Sequence, residues 1–135
     1  MFITHEHIDH AGGLDLIAKA FPDAPILASA VTRDTIAQEK GALIPVMKRI
    51  FGADFPDDVP LPNRMVTHGE TLQLAGRAWI VDQLGPCEAK GITMLRSEGG
   101  EVLIAADLAG NRMTPWLVDG TTRPWAREFT ASRAR

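Results

Sequence analysis

Helical patterns and short apolar segments alternate in the first half of the chain. In residues 14–21 the apolar side chains recur at spacings of three and four, which predicts a helix with one buried face. The apolar residues 26–28 predict a short buried strand. A second helix is predicted over residues 32–41, with Gly41 as its C-terminal cap, and a further short helical turn over residues 45–51. This half is therefore expected to be mainly helical.

Strand patterns dominate the second half. Residues 71–74 and 77–84 are apolar or alternating on either side of an Ala-Gly pair, which predicts a β-hairpin. Residues 92–96 and 101–106 flank a Ser-Glu-Gly-Gly turn and predict a second hairpin. Residues 123–134 predict a final helix. Helices early and hairpins late favour a layered α/β domain over a regular βαβ series, and a single domain is expected over residues 1–135.

Length and composition narrow the class of protein. A chain of 135 residues with 45% apolar residues is long enough to bury a substantial core. The 14 basic and 17 acidic residues nearly balance and form no basic stripe, so a nucleic-acid partner is not expected. The one cysteine, Cys87, cannot form an internal disulfide, and no apolar segment approaches the ~18 residues of a membrane span. A soluble, cytoplasmic chain with no membrane partner is expected.

Three of the four histidines lie in one short segment together with an aspartate. His5, His7 and His10 fall within six residues, and Asp9 stands among them. Imidazole and carboxylate are ligands that zinc and similar divalent ions prefer in proteins. The alternative interpretation is a solvated polar loop before a helix, with Asp9 as the N-terminal cap. The density of histidines favours the metal site.

The spacing within this segment suggests how the ligands are shared. In an extended chain alternate residues point the same way, so His5 and His7 can bind one ion. A turn after Ile8 brings Asp9 and His10 towards a second position nearby. The segment can therefore serve two metal ions.

The stretch from Phe2 to Leu14, which reads FITHEHIDHAGGL, resembles the His-x-His-x-Asp-His signature of the metallo-β-lactamase superfamily. In that family the signature ends a strand and opens a helix, as the Gly12-Gly13 pair and the helical pattern predict here. The resemblance continues through both hairpins to about Trp116. It implies a metallo-β-lactamase-like αββα sandwich that begins at the signature, so that the N-terminal sheet is largely absent.

The resemblance also implies a ligand set. It assigns metal binding to His5, His7, Asp9 and His10, and to Asp107, which stands where the family has the aspartate that bridges both metals. The expected cofactor is zinc, as one or two ions, with iron or manganese as alternatives.

The third metal-binding segment of the family corresponds to residues 84–91, where Glu88 stands in place of the expected histidine. A carboxylate can bind a divalent ion, so Glu88 is a candidate ligand, and a solvated loop carboxylate is the alternative. The adjacent Cys87 is a second candidate, although small buried cysteines are common. His68 is expected to be an exposed turn residue, and the family's last histidine has no counterpart.

Function follows from the resemblance as an expectation. It implies a metal-dependent hydrolase in which an activated water attacks an ester, thioester, lactone or amide carbonyl of a small molecule, with Asp9 both binding metal and orienting the water. The alternative is a non-catalytic remnant that binds metal weakly or serves as an interaction module. Because relatives carry more strands before the signature, the chain is expected to be a fragment of a longer protein, or to need a second copy or another partner chain to complete its sheets.

Overall fold

The computed structural model describes residues 1–110, 112–114, 116–117 and 121–132. It divides the chain into two compact units, Met1–Met65 and Val66–Arg135. Within the described residues, none of the helices combines the length and the apolar character that a membrane crossing requires. The expectation of a single domain over residues 1–135 stays a prediction.

The first unit is mainly helical, as its sequence pattern predicts. Its elements are α1 (Ile8–Ala11), α2 (Leu14–Ala20), β1 (Leu27–Ala28), α3 (Ala30–Phe51), a 3-10 helix (Gly52–Asp54) and β2 (Arg64–Met65). Strands β1 and β2 pair in parallel, and Phe2 forms a parallel bridge to Leu27. The buried cluster of this unit consists of Ile3, Ala11, Leu14, Ile26, Ala28, Ile36 and Val59.

Helix α3 corrects one prediction. The predicted helix over residues 32–41 and the helical turn over residues 45–51 form one continuous helix, and Gly41 lies inside it. Ser29 caps its start, because the Ser29 side chain accepts a hydrogen bond from the Thr32 backbone N–H. Extending an existing helix avoids the cost of a second nucleation. The helix therefore continues through Gly41 and Pro45, although both residues have a low helix propensity.

The glycine that ends α3 is Gly52, whose φ of 62° and ψ of −136° fit glycine and few other residues. Its backbone N–H donates to the Lys48 carbonyl. The Gly41 backbone, in contrast, has no positive φ. Two glycines near the ends of predicted helices therefore have different roles, which the sequence pattern alone does not separate.

The second unit contains a four-stranded antiparallel sheet in the order β3-β4-β5-β6. Its elements are β3 (Thr71–Leu74), β4 (Arg77–Leu84), β5 (Ile92–Ser97), β6 (Leu103–Ile104), a 3-10 helix (Ala106–Leu108) and α4 (Thr122–Ser132). Ala75 and Gly76 both have positive φ at the β3-β4 turn, which matches the twist of a tight hairpin. Both predicted hairpins are confirmed, although β6 is shorter than residues 101–106.

The buried cluster of the second unit lies on one face of β5. Ile92 and Met94 pack there with Leu84, Cys87, Ala89 and Leu108, and Trp125 of α4 packs against them. The final helix is confirmed, and Ala134, the last residue predicted for it, lies outside the described residues. Helices and sheets together confirm the α/β fold class.

Candidate metal centre

The histidine segment of the first unit follows a backbone that is fixed by β1. The Ile3 N–H donates to the Leu27 carbonyl at 2.8 Å, and the Leu27 N–H donates to the Met1 carbonyl at 2.8 Å. These two hydrogen bonds hold residues 1–3 alongside β1. His5 therefore begins from a defined position, two residues beyond the paired segment.

A tight turn brings the end of the segment back towards its start. His7 has extended backbone angles and immediately precedes α1. The N–H groups of His10 and Ala11 both donate to the His7 carbonyl at 3.0 Å. Because the chain reverses its course at this point, His5 and His10 become neighbours despite their separation in sequence.

The three imidazole rings gather around His5. The ring centroid of His5 lies 4.0 Å from that of His10 and 4.8 Å from that of His7. A ring nitrogen of His5 lies within 4.8 Å of a ring nitrogen of each of the other two. His5 is fully buried, whereas His7 and His10 are partly exposed. The sequence assigns His5 and His7 to one ion and His10 to a second position nearby, and this division stays a prediction.

Imidazole rings gathered around His5 have donor chemistry that fits a divalent metal ion. Each neutral ring offers one nitrogen lone pair, and zinc in proteins commonly takes two or three such ligands. The donor set of the first unit therefore has the chemistry of a metal site.

Asp9 lies at the rim of this cluster. It occupies the first turn of α1, its side chain is 74% exposed, and its Oδ2 lies 3.7 Å from Nε2 of His10. The structure thus places the carboxylate beside one imidazole and in contact with solvent. Its roles in binding metal and orienting water stay predictions.

Two further residues of the segment carry features that the sequence pattern did not single out. Glu6, which lies between His5 and His7 in the sequence, is buried. The Thr4 Oγ1 lies 3.1 Å from Nδ1 of His5, within hydrogen-bonding distance. A hydroxyl residue directly before a candidate ligand is the signal that could have drawn attention to Thr4.

In the second unit, Glu88 lies in the turn between β4 and β5 and is only 3% exposed. The alternative interpretation of a solvated loop carboxylate is therefore wrong. Burying a carboxylate is costly unless charge or hydrogen bonding compensates for it, which is typical of functional positions.

The neighbouring Cys87 belongs to the apolar cluster under β5. Its backbone N–H donates to the Ala89 carbonyl at 3.0 Å. Burial raises the pKa of the Cys87 thiol, which disfavours the thiolate that binds metal. Cys87 therefore has a packing role, and the assignment of Glu88 as a metal ligand stays a prediction.

Asp107 lies in the 3-10 helix after β6 and is partly buried. The residue before it, Ala106, has a φ of 49°, a left-handed conformation that is unfavourable for alanine. The turn is held from one side by Trp125, whose indole N–H donates to the Leu108 carbonyl at 2.9 Å. A strained and braced backbone is common where a side chain has a functional task.

His68, the fourth histidine, has a structural contact of its own. It is exposed, and its Nδ1 accepts a hydrogen bond from the Gln83 backbone N–H at 3.1 Å. The prediction of an exposed residue is confirmed.

The sequence profile that describes the metallo-beta-lactamase superfamily matches residues 1–134. This chain belongs to the metallo-β-lactamase superfamily. The match includes the histidine segment, Glu88 and Asp107, so all six residues that the sequence nominates as ligands lie within the shared region. No curated protein matches the chain significantly.

Several solved structures share the fold of this chain. A beta-lactamase domain protein from Burkholderia ambifaria has a TM-score of 0.71 at 20% identity, over 99% of this chain and 43% of its own. A metallo-beta-lactamase from Pontibacter korlensis has a TM-score of 0.70 at 13% identity, over 99% and 56%. TTHA1623, solved in a di-iron-bound form, has a TM-score of 0.72 at 21% identity, over 98% and 62%. The chain therefore spans about half the length of these similar structures.

Proposed function

We propose that this member of the metallo-β-lactamase superfamily is part of a metal-dependent hydrolase that acts on a small carbonyl substrate. The observation that carries the proposal is the cluster of His5, His7 and His10 within the family signature. Zinc is the expected metal, as one or two ions. Iron is the main alternative, because one similar structure, TTHA1623, was solved in a di-iron-bound form.

In this proposal His5, His7 and His10 supply neutral nitrogen ligands, and Asp9, Glu88 and Asp107 supply carboxylate ligands. The inclusion of Glu88 and Asp107 rests on the family pattern and on the surroundings of each residue within its own unit. Glu88 is buried, and Asp107 follows a strained residue in a braced turn. Oxygen and nitrogen ligands together suit zinc, iron and manganese.

The proposed reaction is hydrolysis of an ester, thioester, lactone or amide. A divalent ion held by these residues would polarise the carbonyl and would lower the pKa of a water molecule. The water oxygen bonds to the carbonyl carbon, the bond from that carbon to the leaving group breaks, and a water proton ends on the leaving group. Asp9 is suited to orient the water and hold its proton, because its carboxylate is accessible to solvent beside His10.

The first experiment measures metal per chain by elemental mass spectrometry on protein purified without added metal. We expect about one or two ions in the wild type, and loss of most of that metal in His7→Ala, because a site that loses a ligand holds its ion less firmly. His68→Ala is the matched control, since it removes an imidazole outside the cluster. Equal metal in the wild type and His7→Ala would contradict the assigned site.

Turnover then separates the hydrolase from a non-catalytic remnant. Wild-type protein and both variants are assayed with ester and thioester substrates after zinc loading. The proposal expects activity in the wild type and in His68→Ala, and its loss in His7→Ala. Metal binding without turnover on any substrate class would favour the remnant, and turnover that survives His7→Ala would refute the mechanism.

A further inference from the structure

Thr4 lies between two fixed stretches of backbone. On one side, residues 1–3 are hydrogen-bonded to β1, and on the other the His7 carbonyl accepts the N–H groups that start α1. Residues 4–6 therefore span a short gap with little freedom. Within this gap the orientation of the His5 ring depends on its side-chain torsions and on its contacts.

One of these contacts is with Thr4. The Thr4 Oγ1 lies 3.1 Å from Nδ1 of His5, while the other ring nitrogen, Nε2, is buried. A hydroxyl group can donate or accept a hydrogen bond, and so can a neutral imidazole nitrogen. The direction of this bond fixes the tautomer of the ring, and with it the nitrogen that is available to a metal ion.

The two directions have opposite consequences. If Nδ1 carries the proton and donates it to Thr4 Oγ1, the lone pair of Nε2 is available for metal. If Thr4 donates to Nδ1, the proton of neutral His5 is on Nε2, and neither nitrogen offers a free lone pair. A histidine that binds metal commonly donates its other N–H to an oxygen, which fixes both the tautomer and the ring orientation.

We propose that Thr4 is a positioning residue of the metal centre: its Oγ1 accepts the Nδ1 proton of His5 and leaves Nε2 of His5 for the ion. This inference rests on the proposed metal site. It makes the hydroxyl group of Thr4, and not the shape of its side chain, the feature that matters. Thr4→Val removes the hydroxyl with little change of shape, whereas Thr4→Ser keeps the hydroxyl and removes the methyl group.

The first test is zinc affinity, measured on the full chain by competition with a chromophoric zinc chelator. We expect Thr4→Val to bind zinc about 10–100-fold more weakly than the wild type, as is common when the partner of a metal-binding histidine is lost. Thr4→Ser should bind nearly as well as the wild type. Unchanged or tighter binding by Thr4→Val would overturn the inference, as would a loss in Thr4→Ser equal to that in Thr4→Val.

The second test reads the tautomer directly in metal-free protein. Long-range proton–nitrogen NMR spectra of histidine-labelled chain distinguish a protonated Nδ1 from a protonated Nε2, and His5→Gln assigns the His5 signals. We expect the Nδ1-protonated tautomer in the wild type and in Thr4→Ser, and a mixture of tautomers in Thr4→Val. An Nε2-protonated His5 in the wild type would overturn the inference.

The two tests separate this inference from the proposed function. If the wild type binds no zinc, the proposed function fails, and the NMR measurement still decides which way the bond between Thr4 and His5 points. If the wild type binds zinc and Thr4→Val binds it equally well, the metal site stands and only the role of Thr4 is refuted.

Discussion

Helix α3 of the first unit and strand β5 of the second unit are stabilised in different ways. The buried residues of α3 are Thr32, Thr35 and Ile36, all in its first third, and the rest of the helix is exposed or partly exposed. In β5, five of the six residues are buried. The helix therefore depends strongly on capping and backbone preferences, whereas the strand depends on packing.

The candidate ligands of the two units also differ in how the fold positions them. The three histidines of the first unit lie so close together in the sequence that a single turn brings them together. Glu88 and Asp107 of the second unit are carried by a turn and a 3-10 helix at different places around the sheet. A substitution within the histidine segment should therefore alter the positions of the histidines. A substitution in the buried cluster of the second unit should alter the surroundings of Glu88 and Asp107.

The largest effect on stability is expected from Met94→Ala in β5. Met94 is 2% exposed within the buried cluster, so its truncation leaves a cavity that costs about 2–5 kcal/mol in free energy of unfolding. Urea denaturation measures the change. Leu103→Ala in the edge strand β6, where the side chain is half exposed, is the control and should change stability by no more than about 0.5 kcal/mol. Equal losses of stability in Met94→Ala and Leu103→Ala would show that packing does not explain the difference between β5 and α3.

A matched pair of glycine variants tests the backbone of α3. A Cβ added at Gly41 or at Gly52 meets nothing within 4 Å, so only the backbone angles differ between the two sites. Gly41→Ala should stabilise the protein by about 0.5–1 kcal/mol, because alanine is favoured inside a helix. Gly52→Ala should destabilise it by about 1–3 kcal/mol, because φ is positive there. Destabilisation by Gly41→Ala, measured in urea, would mean that the helix ends at Gly41.

The smallest effect concerns two ion pairs of the first unit. A hydrogen bond from Lys48 lowers the pKa of Asp57, and a hydrogen bond from Lys40 lowers the pKa of Asp58. A lowered folded-state pKa adds stability above the ordinary carboxyl pKa, and this stability is lost as the pH falls through the folded-state value. The double variant Asp57→Asn/Asp58→Asn should therefore lose less stability on acidification than the wild type.

Thermal unfolding from neutral to acid pH measures this difference, and Asp23→Asn, at another exposed aspartate, is the control. Because Asp57 and Asp58 are both exposed to solvent, the effect should be small and should shrink in high salt. Identical pH profiles for the wild type and the double variant would show that these ion pairs add nothing.

Most elements could be predicted because they follow local rules. The β3-β4 hairpin follows from strand patterns on either side of a turn that contains Gly76. Helix α2 follows from its apolar spacing, but the predicted buried face is wrong in part, because Ile17 and Phe21 are exposed. The continuity of α3 could not be predicted in this way. Gly41 and Pro45 each weaken a helix, and only the sum over the whole element, including the cap at Ser29, shows that it continues.

The features of the candidate site also differ in whether the sequence could predict them. The sequence by itself determined the family and the histidine cluster, because ligands within one short segment need only one turn to meet. Only the tertiary structure decided that Glu88 is buried, that Cys87 packs in a core, and that Thr4 contacts the ring of His5. Burial depends on residues that are distant in sequence, and a hydrogen bond depends on atomic positions that no spacing pattern specifies.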